Sequence, residues 1–564
     1  MKTIELSISD KNKSLLTHLQ ENGEFLPAYC ACRGTCGKCK VQFLNNIPAY
    51  TTHDAAFFSA KELSEGWRLA CQAYIKGQFT IQIEDYKEDQ IQAASAFNLS
   101  ADKSVSNKFT AADTVSDSSS KSASVQHISM QPSSEKSDSK IATAPSSSTH
   151  NEISSYDSLA LAVDIGTTTI ASNLIDTNQK KVLQTITSIN HQRIFGTDVL
   201  SRIDIANQGR LLELQRTILN DLDSICEQFQ LGKDITKLSI PVIISGNSTM
   251  QHLLQKLSCE SLGSFPFTPV DISMHSYKNM TILPGISTYV GADIVSGIVA
   301  CGIDQKEEVS LLVDLGTNGE MVIGNKDRLL VTSTAAGPAF EGGNIRYGIA
   351  GVPGAIDTVT IFDNHPAIST ISNKKPIGIC GTGVIETVYE LVKEKIVDNT
   401  GLIADKYFDN GYPLTENISF TNKDIREVQL AKSAIRAGIE ILVTSYGIDY
   451  SQIAHLYLAG GFGQKINYTK AVGIGMLPKE LNDRIISVGN SSLAGAGMLA
   501  MNSELSHRFT HIPEISEEIS LANHKAFNDL YLEYMSFYNF PLIIIIEKFY
   551  LQIFLHSIRL IIPN

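Results

Sequence analysis

Five cysteines near the start of the chain are the residues with the clearest capacity for chemistry. Cys30, Cys32, Cys36 and Cys39 stand close together, and Cys71 follows after a long gap. Thiolates are soft ligands for iron and zinc, and such centres commonly take four of them. Nine cysteines in 564 residues are too few for a disulfide scaffold, and the first residues, MKTIELSISDKNK, lack the apolar core of a secretory signal. The cluster therefore indicates metal or redox chemistry, which we expect in the reducing cytoplasm.

The spacing within this cluster favours a [2Fe–2S] centre. Cys30, Cys36 and Cys39 form a C-x5-C-x2-C pattern, and Cys71 supplies a fourth thiol from a distance. Plant-type ferredoxins use the same arrangement of three close cysteines and one remote cysteine, with a first gap of four residues. Three alternatives are a zinc site, which usually has two C-x2-C pairs, a thioredoxin-like C-x-x-C, and a set of buried structural thiols. The residues alone leave open whether Cys30 or Cys32 is the first ligand.

Two glycines, Gly34 and Gly37, interrupt the same loop. Because glycine has no Cβ atom, it adopts backbone conformations that other residues avoid. We expect these two glycines to let the loop turn tightly, so that backbone N–H groups point at the sulfur atoms.

Two aspartates, Asp164 and Asp314, each end an apolar run and enter a glycine turn. The first copy is LALAVDIGTTTIASNLID and the second is VSLLVDLGTNGEMVIGN. Glycine allows close backbone approach at such a turn, so N–H and hydroxyl groups can bind phosphate, while the aspartate holds Mg²⁺ through water. One such turn is ordinary turn chemistry, but two in register indicate a nucleotide site. The predicted phosphate-binding residues are Gly166, Thr167, Thr168, Gly316, Thr317 and Asn318.

Further segments would complete a nucleotide site. The sequence LAGGFG follows an apolar strand, and its bare backbone suits a flat adenosine; the residues concerned are Gly460, Gly461, Phe462 and Gly463. The sequence CGTG opens a helix whose N-terminal dipole favours an anion, so Gly381 and Thr382 are candidates for phosphate binding, with a simple turn as the alternative. Glu320, in the turn after Asn318, is expected to position water, with a surface turn residue as the alternative.

Composition divides the chain into the units that must position these residues. Residues 1–90 mix strand-like runs with one helical stretch. Residues 91–156 are dominated by serine, with 20 serines and no glycine or cysteine between positions 95 and 155. Such a segment cannot bury enough apolar area to offset the entropy lost on ordering. We therefore expect a disordered linker that lets one domain reach more than one site.

Beyond the linker, apolar β-branched runs alternate with helical stretches, which predicts an α/β fold. The repeated aspartate turn predicts two related lobes, 157–305 and 306–541, that face one another across a cleft. The tail 542–564 is apolar but interrupted by charges, and we expect no membrane span. A hydrophobic content of 43% excludes global disorder, and a net charge of −13 excludes a basic surface for nucleic acid.

The two phosphate elements and the adenosine element together resemble the superfamily of actin, sugar kinases and the large heat-shock chaperones. Further blocks make the chain similar to the reductive activators of corrinoid proteins. These blocks are HQRIFGTDVLSRI, SGNSTMQHLL, YVGADIVSGI, AAGPAFEGGNI, GICGTG, DIREVQLAKSAIRAGI and LAGGFG. The resemblance implies a multidomain α/β protein: a β-grasp ferredoxin-like domain and, beyond the disordered serine-rich linker, a two-lobed actin-like ATPase with duplicated α/β lobes.

The same resemblance implies an activity. The chain would use ATP to transfer one electron from its [2Fe–2S] cluster to a corrinoid protein, restoring Co(I) from Co(II). Asp164, Asp314 and Glu320 would be catalytic, and the two aspartates would act on Mg²⁺ and the attacking water. A low-potential reductant would act upstream, and a homodimer is compatible with this activity. Two other functions stay open: a ferredoxin-like electron carrier or redox sensor whose actin-like part only binds nucleotide, and a small-molecule kinase with a regulatory cluster.

Overall fold

The computed structural model describes most of the chain outside the linker and the tail. The described residues are 2–22, 26, 34, 37, 39–83, 158–196, 198–316, 318–461, 463 and 465–538. The expected linker 91–156 and tail 542–564 lie outside them, as do Cys30, Cys32, Cys36, Thr317 and Phe462. Within the described part, no helix is long and apolar enough to cross a bilayer.

The described residues contain twenty-one strands and fourteen α-helices. The strands are β1 (Lys2–Ile8), β2 (Lys40–Phe43), β3 (Trp67–Leu69), β4 (Gly77–Ile83), β5 (Leu159–Ile165), β6 (Thr169–Asp176), β7 (Lys181–Ile189), β8 (Val242–Gly246), β9 (His275–Tyr277), β10 (Met280–Ile282), β11 (Val309–Leu315), β12 (Gly319–Gly324), β13 (Leu329–Thr334), β14 (Ala355–Phe362), β15 (His365–Thr370), β16 (Gly378–Ile379), β17 (Tyr412–Pro413), β18 (Ser419–Phe420), β19 (Ile453–Ala459), β20 (Ile485–Gly489) and β21 (Ser516–Glu518). The helices are α1 (Leu15–Glu21), α2 (Thr52–Ala55), α3 (Ala60–Ser64), α4 (Val199–Ile205), α5 (Leu211–Gln228), α6 (Ser248–Gln255), α7 (Glu260–Gly263), α8 (Ala292–Cys301), α9 (Gly381–Lys393), α10 (Asn422–Tyr446), α11 (Tyr468–Gly473), α12 (Ser491–Met501), α13 (Ser506–His511) and α14 (Phe527–Glu533).

The N-terminal part is a four-stranded antiparallel sheet in the order β1-β4-β2-β3. Alternating apolar residues on these strands form a core with Leu15, Leu16 and Leu19 of α1, which are fully buried. Asp54 links α2 to β3, because its carboxylate accepts a hydrogen bond from the Leu69 N–H at 2.7 Å. This bond fixes the strand that leads directly into the remote cysteine.

The remaining chain contains two six-stranded sheets of matching design. The first has the order β7-β6-β5-β8-β10-β9, and the second has the order β20-β19-β11-β12-β13-β21. In each sheet, three consecutive antiparallel strands come first (β5 to β7, and β11 to β13). The first of these three then pairs in parallel with a later strand, β8 or β19. The internal duplication predicted from the two aspartate turns is therefore present in the strand topology.

Helices α8 and α12 cross between the two sheets at glycine positions. Although α12 lies late in the chain, it packs on β5, β6 and β8 of the first sheet, whereas α8 reaches β11 and β12 of the second. A Cβ atom on Gly495 would lie 2.2 Å from the Ser296 carbonyl oxygen, and one on Gly297 would lie 2.9 Å from Ser491 Oγ. The close crossing therefore depends on the missing side chain of Gly495.

The long helix α10 packs behind β12 and β13 and holds the segment that follows α14. Gln429 Nε2 donates to the Met535 carbonyl oxygen at 2.8 Å. The buried ammonium of Lys432 donates to the Ser536 carbonyl oxygen at 2.8 Å and also to that of Tyr534. These bonds provide donors for carbonyl groups that lie outside the strands and helices of the described residues.

Candidate functional site

The two aspartate turns are built alike. Each predicted aspartate is the penultimate residue of its strand, β5 or β11. After each strand the glycine N–H donates to a carbonyl oxygen within the turn, from Gly166 to Thr169 at 2.9 Å and from Gly316 to Asn318 at 3.0 Å. The structure thus places the two predicted phosphate turns at equivalent points of the two sheets.

Polar side chains that the sequence analysis did not single out support the first turn. Asn190 Nδ2 donates to the Gly166 carbonyl oxygen at 2.8 Å, and Asn247 Nδ2 donates to Thr167 Oγ1 at 3.1 Å. The fully buried guanidinium of Arg202 donates to the Thr167 carbonyl oxygen. Burial lowers the pKa of Arg202 to about 9. Arg202 and Asn247 belong to two of the sequence blocks that carry the family resemblance. Their place in these blocks is the signal by which the sequence could have identified them.

The Asp164 carboxylate is held by residues from the other end of the chain. Asn490 Nδ2 donates to Asp164 Oδ2 at 2.8 Å, and Ser492 Oγ donates to Asp164 Oδ1 at 2.7 Å. Asn490 also caps α12, because its Oδ1 accepts from the Leu493 N–H at 2.8 Å. Sequence reasoning missed Asn490 and Ser492, since nothing local marks them as neighbours of the first turn.

The charge of this aspartate affects two other buried carboxyls. Burial raises the pKa of Asp164, although its two hydrogen bonds act in the opposite direction. Burial and the charge of Asp164 raise the pKa of Asp293, in the first turn of α8, to about 7. Burial and the charges of Asp293 and Asp164 raise the pKa of Asp314 to about 8. Asp293 lies in the block YVGADIVSGI and was also missed.

Glu320 occupies a strand rather than the expected turn. It lies on β12 as the direct cross-strand partner of Asp314. Burial raises the pKa of Glu320 well above its ordinary value, and the charges of Asp293 and Asp314 add to this effect. The reason for the difference is that β12 begins at Gly319, immediately after the turn. Glu320 therefore joins the carboxyl group as its fourth member.

The glycine-rich segment after β19 lies against the second aspartate turn. Gly460 has a φ of +88°, and a Cβ atom there would lie 2.7 Å from Asp314 Oδ1 and 2.5 Å from the Leu315 carbonyl oxygen. No other residue type fits at this position. A Cβ atom on Gly461 would meet no atom of the described residues within 4 Å, whereas one on Gly463 would lie 2.4 Å from the Ala459 carbonyl oxygen. Gly461 thus faces open space, as a segment that receives an adenosine requires.

The helix that begins with the CGTG sequence is connected to the first turn through one loop. Cys380 precedes α9, and its Sγ lies 3.1 Å from Thr382 Oγ1. Helix α9 contacts the segment Pro338–Glu341. Thr168 Oγ1 in turn donates to Glu341 Oε2 at 3.4 Å, between residues of the two lobes. The segment Pro338–Glu341 therefore connects α9 with the first phosphate turn.

Two of the four predicted cluster ligands lie in the described part of the chain. Cys39 and Cys71 are both buried, and the Cys71 N–H points at Cys39 Sγ with a distance of 3.5 Å. Gln72 Nε2 donates to Cys71 Sγ at 3.4 Å. Two remote cysteines are thus brought together with N–H donors on their sulfur atoms. Cys30 and Cys36 lie outside the described residues.

The two loop glycines adopt the conformations that the sequence predicted. Gly34 has a φ of +72° and Gly37 a φ of +67°. A Cβ atom on Gly37 would lie 2.3 Å from the Phe57 ring, and one on Gly34 would lie 2.9 Å from the His53 ring. Both positions therefore require glycine, for backbone conformation as well as for space.

The donor sets fit the groups that the sequence implied. Asp293, Asp314 and Glu320 each have a pKa raised by the charge of another carboxyl, so a nearby cation would favour their charged forms, and Mg²⁺ prefers oxygen ligands. Glycine turns with hydroxyl groups suit the phosphates of a nucleotide. Two buried thiols with N–H donors suit an iron–sulfur cluster.

Comparison with known families finds three matches along the chain. Residues 2–76 match the 2Fe-2S iron-sulfur cluster binding domain. Residues 159–306 match the family described as the RACo middle region, and residues 308–542 match the C-terminal domain of RACo, the ASKHA domain. The ferredoxin-like domain and the two-lobed actin-like domain are therefore confirmed, and with them the [2Fe–2S] cluster and ATP as cofactors.

Three relatives extend this result over most of the chain. Corrinoid activation enzyme RamQ of Eubacterium limosum is 33% identical over 411 residues, which is 66% of this chain and 69% of the relative. A Co(II) methylated amine-specific corrinoid protein reductase of Methanosarcina barkeri is 26% identical over 426 residues, or 67% of this chain and 77% of the relative. A solved structure of a reductive activator for corrinoid, iron-sulfur protein is 25% identical with a TM-score of 0.61, covering 94% of this chain and 96% of that one. The resemblance stated from the sequence is confirmed: this chain belongs to the family of reductive activators of corrinoid proteins.

Proposed function

We propose that the protein uses ATP to transfer one electron to a Co(II) corrinoid protein and so returns it to Co(I). The observation that carries this proposal is the presence, in one chain, of a 2Fe-2S domain and of two equivalent glycine turns beside Asp164 and Asp314, whose charges raise the pKa of other buried carboxyls. The names of the relatives, a corrinoid activation enzyme and a corrinoid protein reductase, support the same substrate class.

Energy input is needed because the electron transfer is uphill. A plant-type cluster has a potential of about −400 mV. Each ~59 mV changes the equilibrium of a one-electron couple tenfold, so a gap of a few hundred millivolts leaves almost no Co(I) without help. Closure of two lobes around a nucleotide can supply that help by changing how the partner's cobalt is ligated.

We assign the following roles in the nucleotide site. Asp164 and Asp314 would hold Mg²⁺, which would supply positive charge to the phosphates, and would orient the water that attacks the γ-phosphate. Glu320, opposite Asp314, accepts a hydrogen bond from that water when ionised. Asp293 completes the acidic group. The phosphates are bound by Gly166, Thr167, Thr168, Gly316, Thr317, Asn318, Gly381 and Thr382, and the adenosine by Gly460, Gly461, Phe462 and Gly463.

The cluster would be held by four thiolates, those of Cys30, Cys36, Cys39 and Cys71. It would accept one electron from a low-potential reductant and give it to cobalt. The protein's own contribution at this site is burial of Cys39 and Cys71 and the N–H donors on their sulfur atoms. Variants Cys36→Ser and Cys71→Ser should lose the visible cluster bands, whereas Cys226→Ala, which removes a buried thiol of α5, should keep them.

The domain limits that go with this function are proposals as well. We assign residues 1–90 to electron delivery, 91–156 to a linker, 157–305 and 306–541 to the two lobes, and 542–564 to a tail without an assigned role. A reducing compartment such as the cytoplasm suits the thiolate ligands. We propose no nucleic-acid partner, and a homodimer is compatible with these roles.

The decisive experiment compares Co(I) formation with and without ATP. Reduced protein is mixed with a Co(II) corrinoid protein at equal cluster concentration, and Co(I) absorbance is followed. We expect Co(I) to accumulate only with ATP and Mg²⁺. Equal yields in both samples would favour an electron carrier, and phosphorylation of a small metabolite would favour a kinase.

A further inference from the structure

Asp164 receives its hydrogen bonds across a very long stretch of sequence. Asn490 and Ser492, which contact its two carboxylate oxygens, stand 326 and 328 residues further along the chain. Both belong to the start of α12, which follows β20 of the second sheet but packs on the first. The Asp164 carboxylate is therefore oriented by residues that follow β20 of the second sheet along the chain.

Behind these contacts lies a chain of buried hydroxyl groups. Ser245 Oγ lies 2.9 Å from Ser492 Oγ and 3.0 Å from Ser296 Oγ, and all three serines are buried. Ser245 is the neighbour of Asp164 in the parallel pairing of β8 with β5, and Ser296 lies on α8. The hydroxyl chain thus joins α8, β8 and α12 at one point.

The direction of this chain follows from counting protons. A hydroxyl group has one proton to donate, and an ionised carboxylate only accepts. Because Ser492 donates to Asp164, it must accept from Ser245, and Ser245 must then accept from Ser296. All three hydroxyl dipoles therefore point toward Asp164, and such chains strengthen the terminal bond.

We propose that Asn490 and Ser492 are positioning residues for ATP hydrolysis: they fix the Asp164 carboxylate in its working orientation, and only while α12 is seated on the first lobe. This inference rests on the proposed function, because it assigns Asp164 to the chemistry at the phosphates. Neither residue needs to touch the nucleotide. Their effect belongs to the rate of the chemical step rather than to binding.

The adjacent Ser491 provides a matched control. It is buried on the same turn of α12, yet its Oγ lacks a hydrogen-bond partner within the described residues. Removing this hydroxyl should therefore change little. Removing the hydroxyl of Ser492 takes away a hydrogen bond to a charged group, which corresponds to a factor of about ten to a hundred in rate.

The test measures ATPase activity of the full-length protein as kcat and as KM for MgATP. Ser492→Ala should lower kcat about tenfold to a hundredfold with KM within about threefold of wild type, while Ser491→Ala should match wild type. Asn490→Asp keeps an acceptor for the Leu493 N–H but replaces the donor by a carboxylate, so it should lower kcat at least as much. Melting temperatures check that each variant is folded. If Ser492→Ala does not fold, the kcat of Asn490→Asp tests the positioning role instead.

The result for Asp164→Asn separates this inference from the proposed function. If that variant retains near-normal ATPase activity, the proposed role of the site is wrong. If Asp164→Asn is inactive while Ser492→Ala and Asn490→Asp both behave like Ser491→Ala, only the positioning role is overturned. A rise in KM with an unchanged kcat would also overturn it, because that pattern indicates a binding or structural role.

Discussion

Asp164 and Asp314 hold equivalent places on their strands but have different surroundings. Asp164 accepts two side-chain hydrogen bonds, from Asn490 and Ser492. Asp314 faces the cross-strand carboxyl of Glu320 and lies close to the backbone at Gly460. The duplication has therefore diverged at the residue scale: the first aspartate is held in place, and the second is crowded by like charge.

Replacing either aspartate tests whether both turns take part in hydrolysis. We expect Asp164→Asn and Asp314→Asn each to abolish ATP turnover, because neutral amides no longer favour Mg²⁺. Cluster absorbance should be unchanged, since the ligands lie in a different domain. Asp357→Asn, on β14, serves as the control and should keep full activity. Normal turnover in both cleft variants would mean that the repeated turns are only structural.

At the scale of elements, the crossing of α8 and α12 makes a sharp prediction about two glycines on one helix. Gly495→Ala would force a Cβ atom to within 2.2 Å of the Ser296 carbonyl oxygen. We expect a loss of about 1–3 kcal/mol in the free energy of unfolding and loss of ATPase activity as α12 shifts from Asp164. Gly497→Ala is the control, because its Cβ atom would make ordinary contact at 3.5 Å with Ile175. That variant should be neutral or more stable, by up to ~1 kcal/mol, and thermal melting of both variants measures the difference.

A buried lysine on α10, Lys432, makes the stability of the protein depend on pH. Burial, with a smaller contribution from the charge of Arg436, lowers the pKa of Lys432 to about 7 from its ordinary value of 10.5. Between these values the unfolded chain binds more protons than the folded one, so this lysine makes the free energy of unfolding rise with pH from about 7 to 10.5. Below pH 7 its contribution is constant.

Denaturant unfolding of wild type and Lys432→Met across this pH range measures the effect. The variant should lose part of the rise, while Lys423→Met, which changes an exposed lysine at the start of the same helix, should retain it. An identical pH dependence in wild type and Lys432→Met would show that the buried lysine keeps its proton throughout.

Residues that act through their sequence neighbours could be predicted from the sequence, whereas residues that act on distant parts of the chain could not. Gly34, Gly37 and Gly460 were predictable because their function is local: each permits a turn that its neighbours in sequence define. Asn490 and Ser492 were not, because their significance arises only when α12 folds back on the first sheet. Glu320 was assigned to a turn because the single residue at which β12 starts has no signature in the sequence.

At the scale of the whole molecule, the corrinoid partner and the linker should both affect how the 2Fe-2S domain and the actin-like domain work together. Binding coupling is reciprocal, so a Co(II) corrinoid protein should change the affinity of the protein for nucleotide. This change is read out as altered nucleotide binding or as stimulated ATPase activity, and Cys36→Ser should keep the change while producing no Co(I). Deleting about twenty residues from 100–145 should leave the cluster absorbance and the ATPase activity unchanged. The rate of electron transfer should change only modestly, because the effective concentration of one domain near the other follows about the −3/2 power of linker length. Single-turnover Co(I) formation measures this rate. Loss of ATPase activity on deletion would show that the segment supports the fold.

The seating of α12 on the first lobe also bears on the order in which the protein is made. Leu493, Ala496 and Leu499 share one core with Ala162 and Ala171, which leave the ribosome far earlier. At about 5–20 residues per second, the first sheet waits on the order of half a minute for the helix that covers it and supports Asp164. A nascent or prematurely terminated chain thus exposes apolar surface that chaperones and proteases recognise, and it lacks a supported aspartate. Only a ribosome that has translated past Met501 can release a protein in which this helix covers the first sheet and supports Asp164.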